Sequence, residues 1–223
     1  MHASDHGAPT LQIAEIFASI QGESLAAGRP CAFVRLAGCP LRCAWCDTAW
    51  AQDPGAGERL ALSEILARIA AFGLPLVEVT GGEPLAQDGC TALLCALHER
   101  GWEVLLETSG ALDTAGVPRG VRVIMDLKAP SSGQVARMRW ENLAALGPDA
   151  QIKIALADRA DYDWACARMA EHDLGRRWPV LLSPIPGRLD PAALAAWMVG
   201  DRLPARLQIQ LHKLLWPGAE RGV

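Results

Sequence analysis

The stretch Ala37-Gly38-Cys39-Pro40-Leu41-Arg42-Cys43-Ala44-Trp45-Cys46-Asp47-Thr48 decides how the chain is read. Its cysteines are spaced C-x3-C-x2-C and follow an apolar run, Ala32-Phe33-Val34-Arg35-Leu36, that reads as a strand. Three thiolates on one tight loop can hold three irons of a cubane [4Fe–4S] cluster and leave the fourth iron open to an outside ligand. Ferredoxin-type clusters use four cysteines and have no such opening. A structural zinc site is the competing reading. It wants four ligands, usually as two separated pairs, and the sequence has no second C-x2-C or H-x3-H pair. Cys31 or a distant His would have to complete it, and Cys31 lies across the strand, roughly 20 Å away at about 3.3 Å per residue.

Working outward, Leu76 to Val79 reads as a short strand running into Thr80-Gly81-Gly82-Glu83-Pro84. Adjacent glycines let the backbone approach a ligand with no Cβ in the way. Glu83 offers a carboxylate to an ammonium group and Pro84 stiffens the turn. A plain strand-to-helix turn is the other reading. Upstream, Ile20-Gln21-Gly22-Glu23 places an amide and a carboxylate where they could hydrogen-bond a planar, amide-rich ligand; a polar turn is the alternative. Arg35 interrupts an apolar strand, so its charge must be paired, by a ligand carboxylate or by an internal Glu. Both remain open at this point.

The rest of the chain alternates strands and helices of about ten residues, which argues a parallel sheet with right-handed crossovers. Gln52 to Glu58 reads as a loop, and Ser63 as the cap of a helix from Glu64 to Phe72. Further helices are expected at 90–100, 140–146, 161–174 and 191–199, the last capped by Asp190 with Pro191 at its first position. Strands are expected at 102–107, 121–125, 150–155, 178–182 and 206–211. About six such units are too few for a closed eight-fold barrel and suit a partial, open β/α barrel. Its site belongs at the carboxyl ends of the strands, where Thr108-Ser109-Gly110, Asp126-Leu127-Lys128 and His212-Lys213 fall.

Composition narrows the class. The chain has 223 residues, 51% of them hydrophobic, with a formal net charge of −4 and no basic run, so nucleic acid is not an expected partner. No apolar stretch is long enough to span a membrane, and the polar opening, residues 1–10, lacks a signal-peptide core. It reads as a disordered lead-in to one domain over 11–223, in the cytoplasm. Seven cysteines do not suggest a disulfide framework; Cys90, Cys95 and Cys166 fall on helical patterns as small apolar residues.

With Trp45 just before the last cysteine, and with the Gly-Gly-Glu-Pro motif in the same chain, the cysteine stretch resembles the radical S-adenosylmethionine (SAM) superfamily. In that superfamily the open iron binds SAM, whose reductive cleavage yields a 5′-deoxyadenosyl radical. The Ile20–Glu23 segment, Phe33–Leu36, Cys46-Asp47-Thr48, Thr80–Pro84, Asp126–Lys128 and Gln210-Leu211-His212-Lys213 further resemble the 7-carboxy-7-deazaguanine synthase family, over about residues 11 to 217. The resemblance implies conversion of 6-carboxy-5,6,7,8-tetrahydropterin to 7-carboxy-7-deazaguanine with loss of ammonia, for queuosine and related deazapurines, using SAM and Mg²⁺. It assigns the cluster to Cys39, Cys43 and Cys46. SAM falls to Trp45, Cys46, Asp47, Gly82, Glu83, Ser109, Asp126, Leu127 and Lys128, and Mg²⁺ to Thr48. Substrate contacts fall to Ile20, Gln21, Gly22, Glu23, Arg35, Thr80, His212 and Pro217, with His212 the candidate nearest the ring. A homodimer and a flavodoxin-like electron donor are implied as well. Many relatives have Ser-Pro-Lys where this chain has Asp126-Leu127-Lys128, and some end near the equivalent of Pro217, where six residues follow here. Other readings of the same cysteines are a radical SAM activating enzyme that makes a glycyl radical on a partner protein, and a non-catalytic iron–sulfur or zinc redox-sensing module.

Overall fold

The structure, a computed structural model, describes residues 9–223. The strands are β1 (Thr10–Ile20), β2 (Pro30–Leu36), β3 (Glu58–Ala61), β4 (Leu76–Gly81), β5 (Glu103–Thr108), β6 (Arg122–Asp126), β7 (Gln151–Leu156), β8 (Val180–Pro184) and β9 (Arg206–Leu207). The helices are α1 (Leu62–Ala71), α2 (Cys90–Glu99), α3 (Arg159–His172), α4 (Leu174–Arg177), α5 (Pro191–Gly200) and α6 (Leu211–Leu215). Among the described residues the strands form one nine-stranded sheet in the order β3-β1-β2-β4-β5-β6-β7-β8-β9. From β2 onward every pairing is parallel; β1 is antiparallel to both its neighbours. The two ends of the sheet, β3 and β9, do not pair, so the barrel is open, as the alternating pattern implies.

The parallel strands read as near-continuous apolar runs because both faces are covered. One face meets the helices through Val34, Val79, Leu106, Met125, Ile154 and Leu182, which pack with Ile65, Ile69, Leu93, Leu97, Tyr162 and Leu194. The other face carries a smaller apolar floor of Phe17, Phe33, Leu76, Leu105 and Ile124, with Cys31 and Ala26. Side chains alternate along a strand. The inward residues two places on from Phe33, Leu76, Leu105 and Ile124 toward the strands' carboxyl ends are therefore Arg35, Glu78, Glu107 and Asp126, with Thr80 two beyond Glu78. The period of two, carried above an apolar floor, is what builds a polar site inside this sheet.

Several boundaries differ from the sequence reading. The seven parallel strands that the sequence reading places, β2 and β4–β9, are all present. β1 is a full strand, and the glycine-rich loop ends in β3, which extends the sheet beyond β1. The helix expected after Ser63 starts earlier, at Leu62. Its first turn is secured by the Glu64 carboxylate accepting the Ala61 N–H at 2.8 Å, not by Ser63. The strand expected over 206–211 stops at Leu207. After one further bond, Gln208 N–H to Leu182 O, Leu211 N–H turns to Gly22 O at 3.0 Å, and the chain begins α6 there. The expected lead-in lies outside the described residues up to position 8, while Thr10 already pairs with Ala61. Cys90 is buried as expected; Cys95 and Cys166 are only partly so.

Candidate active site

The carboxyl ends of β2 and β4–β8 surround a cavity of about 460 Å³. Two kinds of wall face each other across it. The first is the loop after β2. Cys39, Cys43 and Cys46 are free, half-buried, and all line the cavity. Leu41, Ala111 and Met138 form an apolar backing against Cys39 and Cys43. Trp45 is fixed by its indole N–H donating to Ser131 Oγ at 2.9 Å, and Lys128 Nζ sits 5.4 Å over its ring. Among the described residues no three or more His, Cys, Asp or Glu side chains gather tightly enough to hold a single metal ion. Thiolates that share one tetrahedral zinc at about 2.3 Å must crowd together, whereas ligands of different irons in a cubane stand apart. Cys31 sits in the apolar floor at the opposite end of β2 and cannot join the loop.

The base of this loop is locked onto β4. Glu83 N–H donates to Gly38 O at 2.8 Å and Gly82 N–H to Leu36 O at 3.0 Å. A Cβ on Gly82 would stand 2.3 Å from Gly38 O and 2.9 Å from Ala51 O. Gly82 is thus demanded by the protein's own cysteine loop and Gly81 by the end of β2, where a Cβ would stand 2.3 Å from Leu36 O. The Glu83 carboxylate is fully buried and already accepts from Leu85 N–H, Thr108 Oγ1, Ser109 N–H and Ser109 Oγ. It does not line the cavity. The expected pairing of Glu83 with an ammonium group is therefore not what the fold shows: its carboxylate ties β4 to the end of β5.

The second wall is a charged cluster on four strands and the chain after β1. Lys153 on β7 donates to Glu107 Oε1 at 2.7 Å and also pairs with Glu23. Burial pushes the Lys153 ammonium down, but Glu107, Glu23 and Asp126 outweigh it and leave its pKa well above the ordinary value, so it stays charged. Burial raises the Glu107 carboxyl, yet Lys153 pulls it net below the usual range. Glu78 goes the other way: burial, reinforced by Glu107, lifts it well above 4.5. Gln21 bridges the cluster. Its Nε2 donates to Glu78, and its Oε1 accepts the Glu23 N–H at 3.1 Å. Gln210 Nε2 donates to Glu23. Arg35 Nε donates to Glu15 Oε1 at 2.9 Å, so the internal-Glu reading of that charge holds, while its side chain also lines the cavity. On α6, burial and then Lys213 hold the His212 pKa below 6.5. A Cβ on Gly22 would lie 2.4 Å from His212 Nδ1, so the glycine is what admits the ring.

The Radical SAM superfamily matches over residues 34–132, from β2 through the cysteine loop to the turn after β6. The 7-carboxy-7-deazaguanine synthase of Chlorobaculum tepidum is 49% identical over 216 residues, 96% of this chain and 97% of that protein. The chain belongs to the 7-carboxy-7-deazaguanine synthase family. The synthase of Koribacter versatilis is 40% identical over 96% of this chain and 100% of its own. The crystal structure of QueE from Escherichia coli superposes with a TM-score of 0.75 over 90% of this chain and 94% of that one, at 23% identity, which speaks for the fold.

Most of the residues that the synthase resemblance singles out do converge. Ile20, Gln21, Gly22, Glu23, Arg35, the three cysteines, Trp45, Asp47, Thr48, Thr80, Gly82, Ser109, Asp126, Lys128 and His212 all line the one cavity. Three do not. Glu83 is behind the wall, Leu127 is buried in the core under the helices, and Pro217 is exposed beyond the rim. The chain after Pro217 comes back instead, and Ala219, Glu220 and Val223 reach the cavity. Sequence reasoning left Glu78, Glu107 and Lys153 without a role in this synthase site. The available signal was a charge inside an otherwise apolar parallel strand, Leu-Val-Glu-Val, Leu-Leu-Glu-Thr and Ile-Lys-Ile, the same signal that drew attention to Arg35.

Proposed function

We propose that the chain converts 6-carboxy-5,6,7,8-tetrahydropterin to 7-carboxy-7-deazaguanine with release of ammonia, in queuosine and related deazapurine biosynthesis. One observation carries the reading. A single cavity holds the three half-buried cysteines on one wall and a carboxylate, amide, guanidinium and imidazole set on the other, close enough to serve one small molecule. Cys39, Cys43 and Cys46 would hold a [4Fe–4S] cluster, whose apolar backing of Leu41, Ala111 and Met138 excludes water. SAM would lie along Trp45, Asp47, Gly82, Ser109, Asp126 and Lys128. Asp126 Oδ1 supports this: it is buried with no partner among the described residues, an acceptor awaiting a donor, while its Oδ2 takes Lys128 Nζ at 2.8 Å. Thr48 would give a hydroxyl oxygen to Mg²⁺, a hard cation that keeps several waters. When bound, cluster and SAM supply the radical chemistry.

The chain's own residues bind and orient. Arg35 keeps its Nε on Glu15, and its terminal NH₂ groups make no hydrogen bond among the described residues; they suit the substrate carboxylate. Glu23, Thr80 and Glu107 offer acceptors to the donor-rich pterin edge. Gln21 acts behind them, since both ends of its amide are committed to Glu78 and Glu23. Neutral His212 can bond the ring without adding charge. The proposal takes residues 11–223 as one cytoplasmic unit, homodimeric and reduced by a flavodoxin-like donor. Among the described residues no helix is long and apolar enough to cross a membrane.

The test is turnover of the carboxylated tetrahydropterin by anaerobically reconstituted protein with SAM, dithionite and Mg²⁺, followed by mass spectrometry. Deazapurine product with little net loss of SAM is expected. SAM cleavage without product would sink the substrate assignment and favour an activating enzyme. Neither product nor cleavage, in protein shown to hold a cluster, would point to the non-catalytic module.

A further inference from the structure

The chain reverses at Gly218 (φ +80°), where the Ala219 N–H bonds Trp216 O at 3.1 Å, and returns across the cavity mouth. There Gly222 N–H donates to Glu15 Oε2 at 3.2 Å. The other oxygen of that carboxylate, Oε1, receives Arg35 Nε. The Arg221 guanidinium lies 4.1 Å over the Trp50 ring, and Arg35 lies 5.8 Å over the same ring. The Trp50 indole N–H is buried with no partner among the described residues, so the ring is held through its faces. Glu15 and Trp50 are therefore each shared between Arg35 and the returning chain.

We propose that residues 218–223 form a strap that sets the direction of Arg35 toward the substrate carboxylate, with Glu15, Trp50 and Arg221 as positioning residues. This rests on the assignment of Arg35 to that carboxylate. Recognition of a carboxylate by a guanidinium is planar and directional, so a guanidinium held on one edge and beside the Trp50 and Phe17 rings is pre-organised, and less freedom is lost when the ligand arrives. The side chains of the strap leave the net charge at the mouth unchanged, since they bring one cation, Arg221, and one anion, Glu220, to a rim where Glu15 balances Arg35. Their contribution is thus geometric rather than a matter of net charge.

The experiment measures equilibrium binding to reconstituted, unreduced holoenzyme with SAM, by dialysis, for two ligands: 6-carboxytetrahydropterin and tetrahydropterin lacking the carboxylate. The proteins are the parent, Arg35→Ala, Arg221→Ala, Arg221→Lys and a chain truncated after Pro217. The parent should prefer the carboxylated ligand, and Arg35→Ala should weaken it by about tenfold or more. Arg221→Ala should weaken the carboxylated ligand alone, by about two- to fivefold. Arg221→Lys should restore part of it, and truncation should exceed Arg221→Ala. Equal weakening of both ligands would make the strap a general cover and overturn the proposal, as would no weakening of either. A parent without preference for the carboxylated ligand, or a preference that survives Arg35→Ala, would overturn the assignment of Arg35 and the strap with it. Arg35-dependent preference indifferent to the strap would overturn the strap alone. Arg221 is exposed, so its variants should fold even if the truncated chain does not.

Discussion

The two walls of the cavity are built in opposite ways. The cysteine wall comes from one loop, Cys39 to Thr48, leaning on a small apolar patch of Leu41, Ala111 and Met138. The charged wall comes from residues on β2, β4, β5 and β7, with Glu23 and Gln210 from the connections. Phe33 pairs with Glu78, Arg35 with Thr80 and Asp126 with Lys153 across neighbouring strands. A loop wall is local in the chain and peripheral to the core. A strand wall is part of the sheet. The contrast implies that damage to the first costs chemistry without costing the fold, and that damage to the second costs both.

The largest expected effect is on the loop wall. Cys43→Ser should bring turnover to background and prevent stable cluster incorporation, read by the visible absorbance of the reconstituted protein. Urea unfolding of the cluster-free variant should stay within about 0.5 kcal/mol of the parent, as for substitutions away from the core. A larger loss would show that the loop supports the fold and would erase the contrast. Lys153→Met comes next, on the strand wall. It leaves Glu107 and Glu23 buried without their cation, and breaking a buried pair from one side costs about 3–5 kcal/mol. Denaturant unfolding should show that loss alongside the fall in activity.

Glu83→Gln tests the seam between the walls. An amide nitrogen would face donors that now meet a carboxylate oxygen, at a cost of about 1–3 kcal/mol in unfolding free energy. Preserved affinity for SAM would agree with its place behind the wall; a stable fold with SAM binding abolished would return Glu83 to direct ligand contact. The smallest effect is expected at Glu78. Its folded pKa is raised, so between 4.5 and the folded value the native state keeps a proton that the unfolded chain releases. Stability from this group therefore falls as pH rises through that window, by at most about 1.4 kcal/mol per pH unit. Glu78→Gln should flatten the decline of melting temperature with rising pH; an unchanged slope would mean that Glu78 is ionised.

How much was legible follows the same division. Cys39, Cys43, Cys46 and the Thr80–Pro84 turn declare themselves through spacing, since a cluster loop and a tight turn need particular residues at fixed offsets. The alternation of strand and helix declared an open β/α barrel. The short β9 and the start of α1 were misjudged because their ends are set by partners distant in sequence, Gly22 for the chain after β9 and, for α1, the pairing of Ala61 in β3. Glu83 and Leu127 stand in the right motifs but point away from the cavity. Motif membership places the backbone, and the strand's alternation decides which side chains turn inward.

Residue type and spacing were enough to suggest cluster chemistry for the cysteine loop, and the resemblance of its short motifs pointed to the family, because those features are held within a few residues of chain. Which charges pair, which glycine answers to protein rather than ligand, and what lies over Arg35 were settled only by folding. Lys153 meets Glu107 and Glu23, and the Gly222 N–H meets Glu15, across separations that no local pattern encodes. Burial raises all three cluster carboxyls, and Lys153 pulls Glu107 back below the usual range while Glu23 and Glu78 stay raised.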